Sequence, residues 1–326
     1  MSNTVLEVER LDVEFPTYGQ APARAVRGLD LTIGEREIVG LVGESGSGKT
    51  ALARAIMQLV PPPGRIAGGR VRFEGQDLST LDEEQLRALR GRAMSMVIAN
   101  PRSELNPLLT VGEQIGNVLK YHLGLKGKEL RERVLEMLRE VRIPDPERRY
   151  AAWPHELSGG MAQRVVMAIA LICNPRLVIS DDATSGLDVT VQAQVLELLK
   201  RLAERHRTAM LFITRDIGIT AHFCDRVAII YGGEIMEIAS RDRFFANPMH
   251  PYSVLLLAAF SHNPKLRSYW LKEGEAASEA QPAETGCPFA TRCVRVREHC
   301  RSVHPELREL EAGHLVRCHY PVERRA

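Results

Sequence analysis

Residues 43–50, Gly43-Glu44-Ser45-Gly46-Ser47-Gly48-Lys49-Thr50, combine glycines, a lysine and a hydroxyl at the spacing that phosphate chemistry requires. Glycines 43, 46 and 48 let the backbone curl so that successive N–H groups point inward, and a helix beginning near Lys49 adds the positive end of its dipole. Lys49 reaches the β- and γ-phosphates of a nucleotide as a point charge, and the Thr50 hydroxyl is a ligand for Mg²⁺. A glycine-rich turn with an incidental lysine would lack the flanks present here: 38–42 reads as a buried strand and 51–56 as a helix. A nucleoside triphosphate with Mg²⁺ is the expected ligand.

Two further motifs follow. Leu157-Ser158-Gly159-Gly160-Met161 precedes a helix at 162–173, with Ser158 placed to cap it and Gly159 and Gly160 leaving room for a ligand to approach the backbone. Alone this is a common helix start; downstream of a phosphate loop it is more specific. In Leu177-Val178-Ile179-Ser180-Asp181-Asp182 an apolar strand ends in an aspartate, which sets the Asp181 carboxylate beside the magnesium site. Ser185-Gly186-Leu187-Asp188 then forms a turn suited to face a partner chain.

The elements that must position these groups are legible from periodicity. Leu6-Glu7-Val8, 11–15 and 29–33 alternate apolar and polar residues, which predicts an antiparallel sheet at the front. Strands at 71–73 and 93–98 bracket a charged helical stretch at 82–89. Helical periodicity at 111–119 and 128–141 predicts an inserted helical subdomain. Strand character returns at 177–179, 210–213 and 227–230 with helices such as 191–202 between, a pattern that implies a largely parallel, doubly covered sheet. Beyond 263 order weakens; 273–286 reads as an Ala/Glu/Ser-rich linker before a compact cysteine-bearing tail.

The chain has 326 residues, 44% of them hydrophobic, enough for one large core and an appendage. With 43 basic and 41 acidic residues the formal net charge is +2, so no global field recruits nucleic acid. No apolar run approaches the roughly 20 residues of a spanning helix, and the first ten residues lack a signal-peptide core. The expectation is a cytoplasmic protein, in which the six cysteines are not structural disulfides.

The ordered motifs resemble the ATP-binding subunits of ABC transporters, through most of the chain. Asn247-Pro248-Met249-His250-Pro251-Tyr252, the Gly286-Cys287-Pro288-Phe289-Ala290-Thr291-Arg292-Cys293 segment and Ser103-Glu104-Leu105-Asn106-Pro107 are similar to the dipeptide, oligopeptide and nickel importer branch. The resemblance implies an α/β fold: a P-loop (RecA-like) ABC nucleotide-binding domain with an antiparallel β subdomain and a helical subdomain, plus a small C-terminal cysteine-bearing extension. The expected divisions are a core at 1–98 and 166–262, a helical subdomain at 99–165 and an extension at 263–326.

In this family two ATPase subunits face each other head to tail, each ATP lying between one phosphate loop and the other subunit's LSGG. The resemblance therefore implies a second ATPase subunit, two transmembrane permease subunits, an extracytoplasmic substrate-binding protein met only indirectly, and a peripheral position on the cytoplasmic face of the inner membrane. It also implies a permease coupling helix docked near 99–111 and an adenine stacked on an early aromatic, Tyr18, with Phe15 as the alternative. A soluble ABC-type ATPase would be expected to carry a long coiled-coil or zinc insertion, or two ATPase halves.

Three positions depart from the family, all at the hydrolytic centre. The glutamate that polarises water is Asp182, whose carboxylate falls short by one methylene, about 1.5 Å. The histidine at the γ-phosphate is Arg215, which stays protonated and cannot exchange a proton near neutral pH. The glutamine at the metal and water is Ala99, which offers no ligand. Slow turnover after rearrangement remains the alternative, but with Lys49, Thr50 and Asp181 retained, the expectation is a degenerate site that binds ATP. With Ser158, Gly159, Gly160 and Asp188 intact, it completes the site of a different partner subunit in a heterodimer.

Cys287, Cys293, Cys300 and Cys318 cluster in the tail. Soft ligands on a small unit point to a metal. Zinc sites favour close cysteine pairs, which are lacking here, and four thiolates can equally hold a cubane. The resemblance implies a [4Fe–4S] cluster serving as a staple. His299, His304, His314 and His319 read as solvated, and Cys173 and Cys224 as core fillers.

Overall fold

The apolar runs 38–42 and 177–179 become the strands Ile38–Val42 and Leu177–Asp181, buried along their whole length, one in each of two compact units. The structure is a computed structural model that describes residues 4–19, 21–99, 101–260 and 282–322; the 273–281 part of the expected linker lies outside these.

One unit comprises Met1–Leu6, Ile33–Glu37 and Phe73–Phe212. Its Met94–Ile98 strand pairs in parallel with Leu177–Asp181, and the register sets Ile98 opposite Asp181. The helices Val111–Leu123, Gly127–Glu140 and Gly159–Leu171 pack on one another in this unit. Val111, Ile115 and Leu119 recur every fourth residue and are wholly buried, as the amphipathic stripe requires. Thr110 and Glu113 form a reciprocal capping box at the start of the first helix, and Gly124 ends it in the left-handed conformation.

The other unit comprises Glu7–Thr32, Ile38–Arg72 and Ile213–Ala326. Ile38–Val42 pairs in parallel with Arg226–Tyr231, but Arg226–Tyr231 then pairs antiparallel with Glu234–Ser240. His314–Val316 adds antiparallel to Glu234–Ser240, and Arg308–Glu311 adds to His314–Val316. The parallel pairing expected from alternating strands and helices is present in each unit, and in this one antiparallel strands extend the sheet beyond it. Gly232 and Gly233, both at positive φ, close a two-residue hairpin, and the tail contributes the two strands beyond it.

The tail is also knitted into the core of this unit. Phe289, 2% exposed, meets Tyr231 and Tyr252 with ring centroids 5.3 and 5.2 Å away. Burial of such a side chain contributes about 1.5–3 kcal/mol. Glu237, fully buried, accepts the backbone N–H groups of Met249 and His250 at 2.8 Å each and pairs with His314 Nε2 at 2.7 Å. His304 pairs with Glu234 at 2.7 Å. The expectation that His314 is solvated therefore fails: a carboxylate buried under the tail needs a partner, and this imidazole supplies it, whereas His304 stays exposed while it pairs. Cys224 fills core as expected, its thiol 2.7 Å from where a Cβ on Gly40 would stand.

Candidate functional site

The strand Ile38–Val42 delivers the chain into the 43–50 loop, and the helix Lys49–Ile56 takes it out again. Two of the glycines are obligatory. A Cβ on Gly43 would lie 2.3 Å from the Ile230 carbonyl oxygen; Gly48 caps the helix at φ 106, where a Cβ would lie 2.3 Å from the Ala25 carbonyl oxygen. Lys49 is buried, and its Nζ donates to the carbonyls of Gly43 (2.8 Å) and Glu44 (2.7 Å) and to Ser47 Oγ (3.2 Å). The lysine is thus folded back into a loop whose remaining N–H groups and helix N-terminus suit an anion. Ser45, Gly46 and Thr50 are exposed at its mouth.

Glu44 is held from outside the loop. Its carboxylate receives a two-pronged pair from Arg292, Nη1 to Oε2 at 2.7 Å and Nη2 to Oε1 at 3.0 Å, and its N–H donates to Tyr252 Oη at 3.2 Å. The hydrogen bonds to Glu44 raise the Arg292 pKa further above its ordinary value, and burial pushes the Tyr252 phenol up. In the same unit Arg215 follows the buried Thr214 and is exposed, while Asp216 caps the next helix through Gly218 N–H at 2.8 Å. Tyr18 is fully exposed, whereas Phe15 is half-buried with its ring 2.4 Å from a Cβ position on Gly64.

In the unit that carries the helical elements, the strand end is equally defined. Asp181 is 8% exposed, and Asp182 follows at φ 50, a left-handed position that aspartate tolerates. The Asp182 carbonyl accepts the Ser185 N–H at 2.9 Å, which pins the turn. Because Ile98 pairs with Asp181, Ala99 and Asp182 leave the sheet side by side. Ser158 Oγ accepts the Met161 N–H at 3.3 Å and caps Gly159–Leu171; Asp188 Oδ1 accepts the Val191 N–H at 2.9 Å and caps Val189–His206. Gly160 faces the second of these helices, 2.9 Å from Val191 Cγ1 to its Cβ position.

Cys287, Cys293, Cys300 and Cys318 line one cavity together with His250, Phe289, Arg295 and His319. Burial pushes the Cys287 thiol up to about 12 and the Cys318 thiol to about 11, and raises Cys293 as well, with their neighbouring thiols adding to the shift. Among the described residues no three His, Cys, Asp or Glu groups stand where they could together hold a metal ion.

A phosphate loop between strand and helix, an apolar strand ending in aspartates and a serine-capped glycine helix define a nucleotide-binding cassette. The family model "ABC transporter" matches residues 26–185, and "Oligopeptide/dipeptide transporter, C-terminal region" matches 236–300. The chain is 41% identical over 321 residues to the probable peptide ABC transporter ATP-binding protein y4tR of Sinorhizobium fredii, covering 97% of this chain and 95% of that one. It is 37% identical to the dipeptide transport ATP-binding protein DppD of Escherichia coli, covering 98% and 97%. Among solved structures it is similar to the dimeric structure of MJ0796, a bacterial ABC transporter cassette, with a TM-score of 0.64, 28% identity and coverage of 72% of this chain and 98% of that one. The chain belongs to the ABC transporter ATP-binding proteins that carry the oligopeptide/dipeptide C-terminal region.

Proposed function

We propose that the chain is the ATP-binding subunit of a peptide importer, with a largely non-hydrolytic site of its own and a role in completing the competent site of a different ATPase subunit. The relatives' names, peptide and dipeptide transport ATP-binding proteins, support the cargo class. On this reading the 43–50 loop takes the triphosphate, Lys49 turns from its loop carbonyls to the β- and γ-phosphates, Thr50 and Asp181 hold Mg²⁺, and Tyr18, exposed and without a packing role, stacks on adenine.

The observation that carries the degenerate site is the register of Met94–Ile98 against Leu177–Asp181. Ala99 and Asp182 directly follow its last pair, Ile98 with Asp181, which supports a reading in which the shortened carboxylate and the apolar side chain both fail to handle attacking water. Arg215 adds charge for phosphate without proton exchange. ATP held there acts as a dimerising ligand, by binding the assembled state in preference to the open one. Ser158, Gly159, Gly160 and Asp188, with Ser158 and Asp188 fixed as helix caps, are lent to the partner's ATP.

Two permease subunits, an indirectly engaged extracytoplasmic binding protein and a peripheral position on the cytoplasmic face of the membrane complete the assembly. No helix among the described residues is long and apolar enough to cross a membrane. The four cysteines line one cavity, and a [4Fe–4S] cluster is the group that the resemblance to the importer branch assigns to Cys287, Cys293, Cys300 and Cys318. Such a cluster would supply cross-links within the tail. Iron retained through purification supports this, and tightly bound zinc contradicts it.

The test is composition. Detergent extraction through a tag on this chain should recover two membrane proteins and a second, non-identical ATPase subunit. A complex holding two copies of this chain and no other ATPase would overturn the reading.

A further inference from the structure

Glu44 is the second residue of the phosphate loop, yet three of its groups are engaged by different parts of the unit. Its carbonyl accepts from Lys49 Nζ, its N–H donates to Tyr252 Oη, and its carboxylate is gripped by Arg292. Arg292 lies between Cys287 and Cys293, and Pro251, next to Tyr252, lines the same cavity as those cysteines. The Arg292 side chain is 7% exposed and its guanidinium lies 5.7 and 5.8 Å from the ring centroids of Tyr231 and Phe289, so the fork is fixed before it meets the carboxylate. The backbone N–H of Arg292 donates to the Phe289 carbonyl at 3.1 Å, which ties the fork to the aromatic core of the tail.

We propose that Arg292 is a positioning residue for nucleotide binding: through Glu44 it fixes the carbonyl that presents Lys49, and so makes the affinity of the phosphate loop depend on the order of the cysteine-bearing tail. A bidentate guanidinium–carboxylate pair sets orientation as well as distance, which an ammonium cannot do. Without it, Glu44 keeps only its backbone contacts, and the loop samples conformations in which Lys49 and the inward N–H groups do not converge. The tail thereby becomes part of the ATP site while touching no nucleotide itself.

This inference rests on the reading of 43–50 as the Mg-ATP loop. The test is a double-mutant cycle on the full-length chain, read as the dissociation constant of mant-ATP with Mg²⁺. Arg292→Ala and Glu44→Ala should each weaken binding about tenfold, and the double variant should be no weaker than either single one to within about twofold, because one interaction is lost in all three. Arg292→Lys should recover part of the loss but not all of it. If Arg292 only stabilised the tail, its effect would persist in the Glu44→Ala background, and the double variant would be weaker by about a hundredfold. Additivity, or wild-type affinity in Arg292→Ala, overturns the inference. If Arg292→Ala does not fold, Arg292→Lys with Glu44→Ala closes the same cycle. A wild-type chain that fails to bind mant-ATP would sink the nucleotide reading itself, a result distinct from wild-type binding that ignores Arg292.

Discussion

On the degenerate-site reading proposed above, rebuilding the hydrolytic corner should restore turnover to this chain, and each change carries its own expected contribution. Asp182→Glu advances the carboxylate by about 1.5 Å. The backbone does not make up that distance, because Asp182 is locked at φ 50 by the Ser185 N–H on its carbonyl. A misplacement of that order costs about 10²-fold, equivalent to about 2.7 kcal/mol of barrier. Ala99→Gln returns a polar group at the adjacent strand end, where loss of one oriented group costs another 10²-fold or so. Arg215→His restores a group able to exchange a proton at neutral pH. The assay is phosphate release at saturating Mg-ATP by the assembled complex, with the partner's own site inactivated. The triple variant should release phosphate at least about 10²-fold faster than the unmodified chain, and Asp182→Glu alone should recover only part of that. No gain in the triple variant would refute the claim that these three side chains are what the site lacks.

Two other outcomes follow from the geometry. Gly43→Ala should abolish mant-ATP binding and lower the unfolding free energy by about 1–3 kcal/mol, since its methyl would stand 2.3 Å from the Ile230 carbonyl oxygen; wild-type affinity would contradict the tight approach at that position. The His250 imidazole is pushed down to about 4 by burial, with the Glu237 charge and a hydrogen bond to the Arg317 backbone opposing the shift. The folded state therefore binds fewer protons than the unfolded one between pH about 4 and 6.5, so stability is full above that window and falls as pH drops through it, by about 3 kcal/mol in all. Urea titrations at stepped pH should show that loss in the wild type and a smaller one in His250→Asn; equal losses would assign the acid sensitivity elsewhere.

The phosphate loop was legible because its chemistry constrains residue type at each position: only glycine fits at Gly43 and Gly48, and only a long cation reaches from Lys49. The Ser158 cap was legible for the same reason, whereas the Asp188 cap, in a stretch read only as a turn, became visible with the fold. The antiparallel turn at Gly232 and Gly233 carried a local signal, two adjacent glycines after an apolar run, that strand–helix alternation outweighed. The buried pair of Glu237 with His314 and the partly exposed pair of Glu44 with Arg292 carried almost none. Their partners lie 77 and 248 residues apart, and a histidine or arginine in a polar tail looks solvated until the fold brings a carboxylate to it. The one clue to Arg292 was a charge set between cysteines beside an apolar Phe289.

Binding and cutting measured side by side on the isolated full-length chain test the central claim most directly. Equilibrium titration with mant-ATP and Mg²⁺ should saturate and should be lost in Lys49→Ala, whose ammonium holds the loop. Phosphate release by the same preparation at saturating Mg-ATP should be no faster than in Lys49→Ala. Sustained release that disappears with Lys49→Ala would show that Asp182, Ala99 and Arg215 support hydrolysis, and would contradict the account.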